Sequence, residues 1–442
     1  MGLRRSEILV ICSLVVLAVG LKLFGWWKLG YQFDWDQERD AQVVADVINQ
    51  HKFTLIGPRV ASENGFFVGP YHYYLLLPFF LVSGGHPESG MGLGVFVTAL
   101  TVSIYYLVGK RLWNSTAGIL AAVIYALSGQ MVIWNAMYEP LFAIIGFYLI
   151  YRAMEGRIRW IWPVALAGLA VNFNVANGVL TILVLIGIVL AKKRPSLREV
   201  WQLVIAYLVW FLPLFIFDLR HNFLNVGKAV EFTTVGSSML WDRANFFRVW
   251  WKSWMVFNLT GWDSDWRYLI DRLLAFLCLV AAWIWIGHDR RFKLLTVCWL
   301  FLPAVLLYKY RGNLPEYYFG VAAALLPLIF AALISKIKPL AYLVIILLLI
   351  NQLYTGAVPS NRTLSDKLRI VDYLVAQRQD QYFNISYDMP LGLNNGFDYL
   401  FSWRGRVPDT SPRGHLYTIV DLPTKDKGAV VVSSGSFGLI RR

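Results

Sequence analysis

The sequence predicts an α-helical protein that crosses a membrane many times and carries a small α/β domain at its C-terminal end. Of its 442 residues, 57% are hydrophobic and 15% are charged, whereas soluble domains average about 25% charged residues. Many windows reach the roughly 18 apolar residues that suggest a bilayer span. Residues 356–442 are much less apolar and contain turn signals between short helix and strand patterns.

The membrane domain, residues 1–355, is predicted to contain about 11–12 transmembrane helices. Eleven apolar segments are assigned, at 8–27, 91–109, 115–133, 140–154, 160–175, 178–191, 200–217, 268–287, 293–309, 317–334 and 338–355. The first follows Arg4 and Arg5, as in a signal peptide, but it lacks an AxA-like cleavage site. We therefore expect an uncleaved first helix. Cys12, Cys278 and Cys298 lie in apolar segments, without the spacing of a metal site or a disulfide framework.

Basic clusters between the predicted spans set the expected orientation. They lie at residues 4–5, 110–111, 152–159, 192–194, 290–293 and 336–338. The positive-inside rule places such short loops in the cytoplasm. We therefore expect a multi-pass plasma membrane protein with a cytoplasmic N-terminus, outside loops at 28–90 and 218–267, and an extracytoplasmic C-terminus. The net charge of +14 then faces the cytoplasm and the lipid bilayer, so we expect no nucleic acid partner.

Two apolar stretches depart from the simple pattern of spans. Residues 70–84 are short and contain Pro78, and a full crossing there would move every later basic cluster outside. We predict a helix that lies on or dips into the outer leaflet. The pair 160–175 and 178–191 is interrupted by NFNVANG, and broken spans are common around intramembrane sites. Whether either stretch crosses fully is left open by the sequence.

The first outside loop contains a dense acidic motif, FDWDQERDA at residues 33–41. Carboxylates are costly beside a bilayer, so the motif indicates either a solvated loop or a catalytic or cation-binding group at the membrane surface. Residues 36–50 have the apolar spacing of an amphipathic helix. Asp36 and Asp40 are four residues apart and share one face of that helix, with Arg39 close to both.

Several motifs in fixed order carry a family resemblance. The acidic motif contains a D-x-x-R-x-A element at residues 36–41, followed by GP…YYLLLP, WNAMYEP and the aromatic stretch RGNLPEYYFG at 311–320. This order, over residues 1–335, resembles the GT-C membrane glycosyltransferases, in particular the protein-mannosyltransferase and aminoarabinose-transferase-like superfamily. The resemblance implies a polyprenyl-phosphate-linked sugar donor, transfer on the non-cytoplasmic face, and an acceptor that is a glycan, a lipid or a protein.

Inverting glycosyl transfer needs a base for the acceptor hydroxyl and positive charge on the departing phosphate. The resemblance implies that Asp36 is the base; the simpler alternative is that Asp36 caps the helix. Glu139, in NAMYEPLF, is the second catalytic candidate, and its simpler role is a favourable charge at a helix N-terminus.

The remaining candidates are expected to bind the sugar or the phosphate. They are Asp34, Glu38, Arg39, Asp40, His72, Arg243, Arg248, Arg311 and Tyr317. Arginine forks match phosphate oxygens, although arginines near headgroups commonly snorkel. Glu38 and Asp40 either contact sugar hydroxyls or hold Arg39, and His72 either contacts the donor or is an interfacial histidine. Asp34 and Asp36 form a DxD pattern, so binding of a divalent cation is an open alternative, but the sequence shows no dedicated set of metal ligands.

Two other functions fit parts of the pattern. One is an oligosaccharide polymerase or ligase that uses lipid-linked glycans, and the other is a transporter or flippase without chemistry. Transporters usually show internal repeats and charges in the middle of the membrane. Here the ionisable residues cluster in outside loops, which favours a glycosyltransferase. We expect the C-terminal domain to modulate acceptor binding from outside the chemical centre.

Overall fold

The computed structural model confirms a mostly helical chain with a small C-terminal sheet. It describes residues 4–60, 65–128, 132–234, 246, 289–308, 316–355, 361–377, 382–390, 392–409, 415–423 and 429–441. The helices before the C-terminal domain are α1 (Arg5–Leu29), α2 (Trp35–Gln50), α3 (Tyr71–Ser83), α4 (Gly90–Leu112), α5 (Ser115–Leu127), α6 (Glu139–Met154), α7 (Ile161–Val171), α8 (Gly178–Leu190), α9 (Leu197–Leu208), α10 (Leu212–Arg220), α11 (Leu224–Thr234), α12 (Arg290–Leu307), α13 (Gly320–Ala323), α14 (Leu326–Ile334) and α15 (Lys338–Thr355).

Four helical stretches among the described residues are long and apolar enough to cross a membrane. They are Arg5–Leu29, Pro87–Leu112, Leu197–Arg220 and Tyr317–Ile334. Shorter apolar helices lie at Ser115–Leu127, Ile161–Val171 and Val175–Leu190. These helices make the chain a multi-pass membrane protein, as the composition predicts. The predicted span at 268–287 lies outside the described residues.

Helices α4 and α5 pack tightly against each other. Gly118 lies so close to α4 that an added Cβ would overlap the carbonyl oxygen of Tyr106. The predicted helix at 115–133 ends earlier, at Leu127. Residues Asn135–Tyr138 form a 3₁₀ turn that leads into α6. This turn places Tyr138 beside His72 of the first loop.

Helix α3 occupies the segment predicted to lie on or dip into the outer leaflet. It has 13 residues, which at 1.5 Å per residue is about 20 Å, less than the roughly 30 Å hydrocarbon core. Its buried face, with His72, Tyr73, Leu76 and Phe80, packs against α2 and α4. A short helix held between these two elements places His72 next to the acidic motif.

The C-terminal domain consists of two helices and a four-stranded sheet. Its elements are α16 (Leu364–Ala376), β1 (Phe383–Asp388), α17 (Asp398–Trp403), β2 (His415–Asp421), β3 (Val430–Ser434) and β4 (Phe437–Arg441). The strand order is β1-β2-β4-β3, with β1 parallel to β2 and the other neighbours antiparallel. The helix pattern at 365–377 and the strand patterns at 416–422 and 428–434 predict α16, β2 and β3, whereas no pattern predicts β1, β4 or α17.

Candidate active site

The acidic motif leads into α2 and forms its first two turns, and Asp34 occupies the N-cap. Asp34 has an extended backbone, and its N–H donates to Oε1 of Gln37 at 3.1 Å. The side-chain amide of Gln37 in turn donates to the Ile133 carbonyl at 2.7 Å, which fixes the helix start against the segment before α6. Asp36 is therefore the second residue of the helix, and the capping position belongs to Asp34.

Arg39 joins the two carboxylates that share one face of α2. Its Nη1 lies 2.8 Å from Oδ1 of Asp36, and its Nη2 lies 2.6 Å from Oδ1 of Asp40. The Asp36 side chain is 35% exposed, whereas Asp40 is buried. The predicted proximity of Asp36, Arg39 and Asp40 is therefore present, with Asp36 on the open side of the group.

A chain of buried polar contacts continues behind Asp40. Nε2 of His72 lies 2.8 Å from Oδ2 of Asp40, and Nδ1 of His72 lies 3.0 Å from the hydroxyl of Tyr138. Both His72 and Tyr138 are almost completely buried. Such satisfied networks hold their members in one arrangement. This geometry favours a role for His72 in holding Asp40 over direct contact with a donor.

The two carboxyls differ in their acidity because their surroundings differ. Burial raises the pKa of Asp36, and the nearby Asp40 charge acts in the same direction, while Arg39 opposes both. Burial alone would raise the pKa of Asp40 as well, but His72 and Arg39 together lower it below its usual value. A carboxylate with a raised pKa is the better proton acceptor of the two.

Asp36 and Arg39 line a cavity of ≈ 220 Å³ between the first loop and the membrane helices. Its walls combine charged, amide and aromatic side chains with a short apolar stretch. The lining residues are Trp35, Asp36, Arg39, Pro58, Arg59, Val60, Val68, Trp134, Asn135, Asn174, Val175, Tyr317 and Tyr318. Apolar walls with a few convergent polar groups are typical of small-molecule sites.

The cavity contains Tyr317, which the sequence predicts as a binding residue, and a second cation that it does not predict. The ring of Tyr317 meets Trp134 edge to face, with centroids 4.5 Å apart. Arg59 enters from the first loop, where its Nε donates to the Gly65 carbonyl at 3.0 Å and its guanidinium lies over Phe67. An isolated arginine in a loop carries no pattern, so only the fold brings it beside Arg39.

Glu139 lies at the start of α6 and is buried. Its Oε1 accepts a hydrogen bond of 2.7 Å from Nδ2 of Asn174, and its carboxyl packs so closely on Gly320 that no Cβ would fit there. Asn174 belongs to the predicted break between α7 and α8 and also lines the cavity. Glu139 therefore reaches the cavity through Asn174 rather than as a wall residue.

The other two acidic residues of the motif face the C-terminal domain. Nζ of Lys367 lies 2.9 Å from Oδ1 of Asp34. Glu38 accepts hydrogen bonds from the backbone N–H groups of Gly396, at 2.6 Å, and Tyr399, at 3.0 Å. These contacts favour a positioning role for Asp34 and Glu38 over the sugar contacts that the sequence predicts. The sequence gives no signal for a contact between this domain and the motif.

Three predicted phosphate ligands cannot be placed in the site. Arg243, Arg248 and Arg311 lie outside the described residues, so their roles stay predictions.

The DxD pattern does not form a metal-binding group in the part of the chain that the structure describes. No cluster of three or more His, Cys, Asp or Glu side chains there is arranged to hold an ion. Asp34 pairs with Lys367 and Asp36 pairs with Arg39, so each carboxylate already has a different cation. The described residues do not fit a divalent cation, and we derive no step through one.

Solved structures resemble this chain, although no protein-family model and no curated protein match its sequence. ArnT from Cupriavidus metallidurans in the apo state aligns with a TM-score of 0.61 and 11% identity, over 97% of both chains. ArnT from the same organism bound to undecaprenyl phosphate aligns with a TM-score of 0.60 and 12% identity, again over 97% of both chains. The Archaeoglobus fulgidus oligosaccharyltransferase in complex with Zn and sulfate has a TM-score of 0.56 and 10% identity, over 93% of this chain and 68% of that chain.

These likenesses establish the fold. The chain has the fold of the GT-C membrane glycosyltransferases, the class that its motifs resemble. Within that class it is similar over nearly its whole length to the aminoarabinose transferase ArnT, and over most of its length to an oligosaccharyltransferase.

Proposed function

We propose that this protein is an integral-membrane glycosyltransferase that moves one sugar from a polyprenyl-phosphate donor to an acceptor hydroxyl. The observation that carries this proposal is the cavity beside α2, where the partly exposed carboxylate of Asp36 pairs with Arg39 and where Arg59 lines the same wall. The fold is shared with ArnT, a structure of which is bound to undecaprenyl phosphate. An acid–base group next to phosphate-binding cations is what this transfer requires.

In the proposed reaction Asp36 takes the proton of the acceptor hydroxyl as its oxygen attacks the anomeric carbon of the sugar. A new C–O bond forms while the bond between that carbon and the phosphate oxygen breaks. The phosphate oxygen keeps the electron pair and leaves as polyprenyl phosphate. Attack opposite to the leaving group inverts the anomeric centre.

The cations of the cavity are suited to the leaving phosphate. Guanidinium groups bind phosphate oxygens through two parallel hydrogen bonds, and Arg39 and Arg59 reach the same space from different parts of the first loop. Trp35, Trp134 and Tyr317 supply aromatic surface on the same cavity, which suits the apolar face of a sugar ring. Asn135 and Asn174 provide amide groups for sugar hydroxyls.

The size of the cavity favours a donor with a single sugar. Ligand pockets usually measure about 300–1,000 Å³, and this cavity measures ≈ 220 Å³. We therefore favour transfer from a monophosphate-linked sugar over polymerase or ligase activity, with a glycan, a lipid or a protein as acceptor.

We further propose that transfer takes place on the extracytoplasmic face of the plasma membrane, with the N-terminus in the cytoplasm. The basic clusters support this orientation, with α3 assigned to the outer side of the membrane. A reporter that is active only in the cytoplasm, fused after Arg442, should be silent. An active reporter would reverse the assigned side of the active site.

The direct test is an assay of purified protein in detergent with a panel of undecaprenyl-phosphate pentoses and hexoses. Release of undecaprenyl phosphate from one member of the panel is expected, together with its loss in Asp36→Asn. A transporter would release none from any member. Cleavage of lipid-diphosphate glycans with no monophosphate activity would support a ligase instead.

A further inference from the structure

The described part of the C-terminal domain contacts the segment that leads into α2. The N–H of Leu364, at the start of α16, donates to the Tyr31 carbonyl at 2.7 Å. Gly30 lies directly against Thr363, where a Cβ would collide. Four residues after Tyr31 the chain enters α2, so the domain holds the approach to the acidic motif as well as its first turn.

Lys367 is the central contact of this interface. Its side chain is 1% exposed, and its Nζ lies 2.7 Å from the Phe33 carbonyl, 2.9 Å from Oδ1 of Asp34 and 2.7 Å from the Asn395 carbonyl. A lysine is rarely buried unless it is paired. Three oxygens at these distances satisfy the three donors of an ammonium group.

The backbone around Lys367 is packed closely against its ammonium group. Gly396 has φ +94°, and a Cβ there would overlap the Phe33 carbonyl oxygen and lie 2.7 Å from Nζ of Lys367. The backbone N–H of Gly396 and that of Tyr399, in the first turn of α17, donate to Glu38. The segment 395–399 and the Lys367 ammonium therefore hold α2 at two successive turns.

We propose that Lys367 is a positioning residue for glycosyl transfer, because it ties the C-terminal domain to the start of α2 and so sets the place of Asp36 in the cavity. Asp36 lies two residues after Asp34 on a rigid helix. A shift or rotation of the helix start moves the Asp36 carboxylate directly. Lys367 itself is absent from the cavity wall, so its effect passes through α2.

The role depends on the proposed transfer, so the wild-type panel assay is run first. Lys367→Met keeps the length of the side chain and removes its donors. We expect kcat for release of undecaprenyl phosphate to fall about 100-fold, as a displacement of about 1 Å can cause, with KM for the donor changed less than about threefold. Hydrogen exchange of the α2 amides should speed up.

The double variant Asp36→Asn/Lys367→Met separates positioning from general damage. If Lys367 acts through Asp36, the double variant should be no slower than Asp36→Asn alone, because the base is already absent. The matched control is Arg404→Gln, which breaks the Arg404–Asp372 ion pair inside the C-terminal domain and should leave kcat within about twofold.

Three results would overturn the role. They are a wild-type kcat in Lys367→Met, multiplied losses in the double variant, and an equal loss in Arg404→Gln. If Lys367→Met does not fold, Glu38→Gln tests the same interface with a milder change, and a wild-type kcat there counts against it. If the wild-type protein cleaves no donor in the panel, it is the proposed function that fails. Hydrogen exchange of the α2 amides then still shows whether Lys367 holds the start of α2.

Discussion

The two sides of helix α2 carry the same kind of side chain but meet different neighbours. Asp36 and Asp40 face the membrane helices, where they share Arg39 and reach the cavity and His72. Asp34 and Glu38 face the C-terminal domain, where Lys367 and two backbone N–H groups bind them. Side chains two positions apart on a helix point in directions about 200° apart around the helix axis. Acidic residues at every second position therefore lie on two opposite faces of α2.

The difference shows how one charged motif can be strongly held on one face and partly exposed to a cavity on the other. The face toward the C-terminal domain has its oxygens paired with buried donors, which fixes the helix. The face toward the cavity keeps one carboxylate, Asp36, partly exposed and with a raised pKa. A rigid support behind a partly solvated carboxylate is the arrangement that the proposed role of Asp36 as a base requires.

The largest expected effect is on the cavity side. Asp36→Asn keeps the size of the side chain but removes the proton acceptor. We expect the rate of transfer to fall about 10²–10⁴-fold, the usual worth of a general base, while donor binding stays nearly intact. Steady-state release of undecaprenyl phosphate and donor titration measure the two quantities separately.

A nearly active, folded Asp36→Asn protein would contradict the assignment of the base. Glu139 would then be the next candidate, because its carboxyl contacts Asn174 on the cavity wall. Glu139→Gln in the same assay distinguishes the two carboxyls, since a base and an orienting residue should not show equal losses.

A smaller effect on the same face tests how Arg39 tunes Asp36. Burial raises the pKa of Asp36 and Arg39 lowers it. The base works only when deprotonated, so activity should fall as the pH falls through this pKa, which lies above the usual aspartate value. In Arg39→Met the pKa should rise further, and the acid limb of the kcat profile should move to higher pH.

Arg39→Met should also lower the rate at pH values well above the acid limb of the profile. Loss of a hydrogen bond to a charged phosphate removes about 1.5–3 kcal/mol, or roughly 10- to 100-fold in rate. An unchanged acid limb would mean that another group titrates in the profile. Lys228→Met, which breaks an ion pair with Glu231 on α11, is a suitable control for a lost surface cation.

The sequence predicts much of this arrangement because its signals are local. Apolar length predicts α1 and α4, the NFNVANG break predicts the turn between α7 and α8, and spacing places Asp36 and Asp40 together. Lys367 has no such signal, since it lies 333 residues from Asp34 and an isolated lysine in an amphipathic helix is normally solvated. Strands β1 and β4 are short and only the folded sheet pairs them.

The smallest expected effect lies on the side of α2 that faces the C-terminal domain. Asp34→Asn keeps a good N-cap, because asparagine caps a helix about as well as aspartate. The Asp34 side chain is 50% exposed, so water can replace part of its contact with Lys367. The ammonium keeps the Phe33 and Asn395 carbonyls as acceptors. Because these two acceptors remain, most of the hold on the helix start should persist, and kcat should fall less than about fivefold, the equivalent of about 1 kcal/mol.

The size of this loss also tests the division of α2 into two faces. A 100-fold loss in Asp34→Asn with normal folding would show that Asp34 contacts the substrate or a cation and does not only support the helix. The two faces would then share the chemistry. A loss near twofold, beside a large loss in Lys367→Met, would instead place the support in the backbone carbonyls that the lysine binds, with the Asp34 carboxylate as a minor contact.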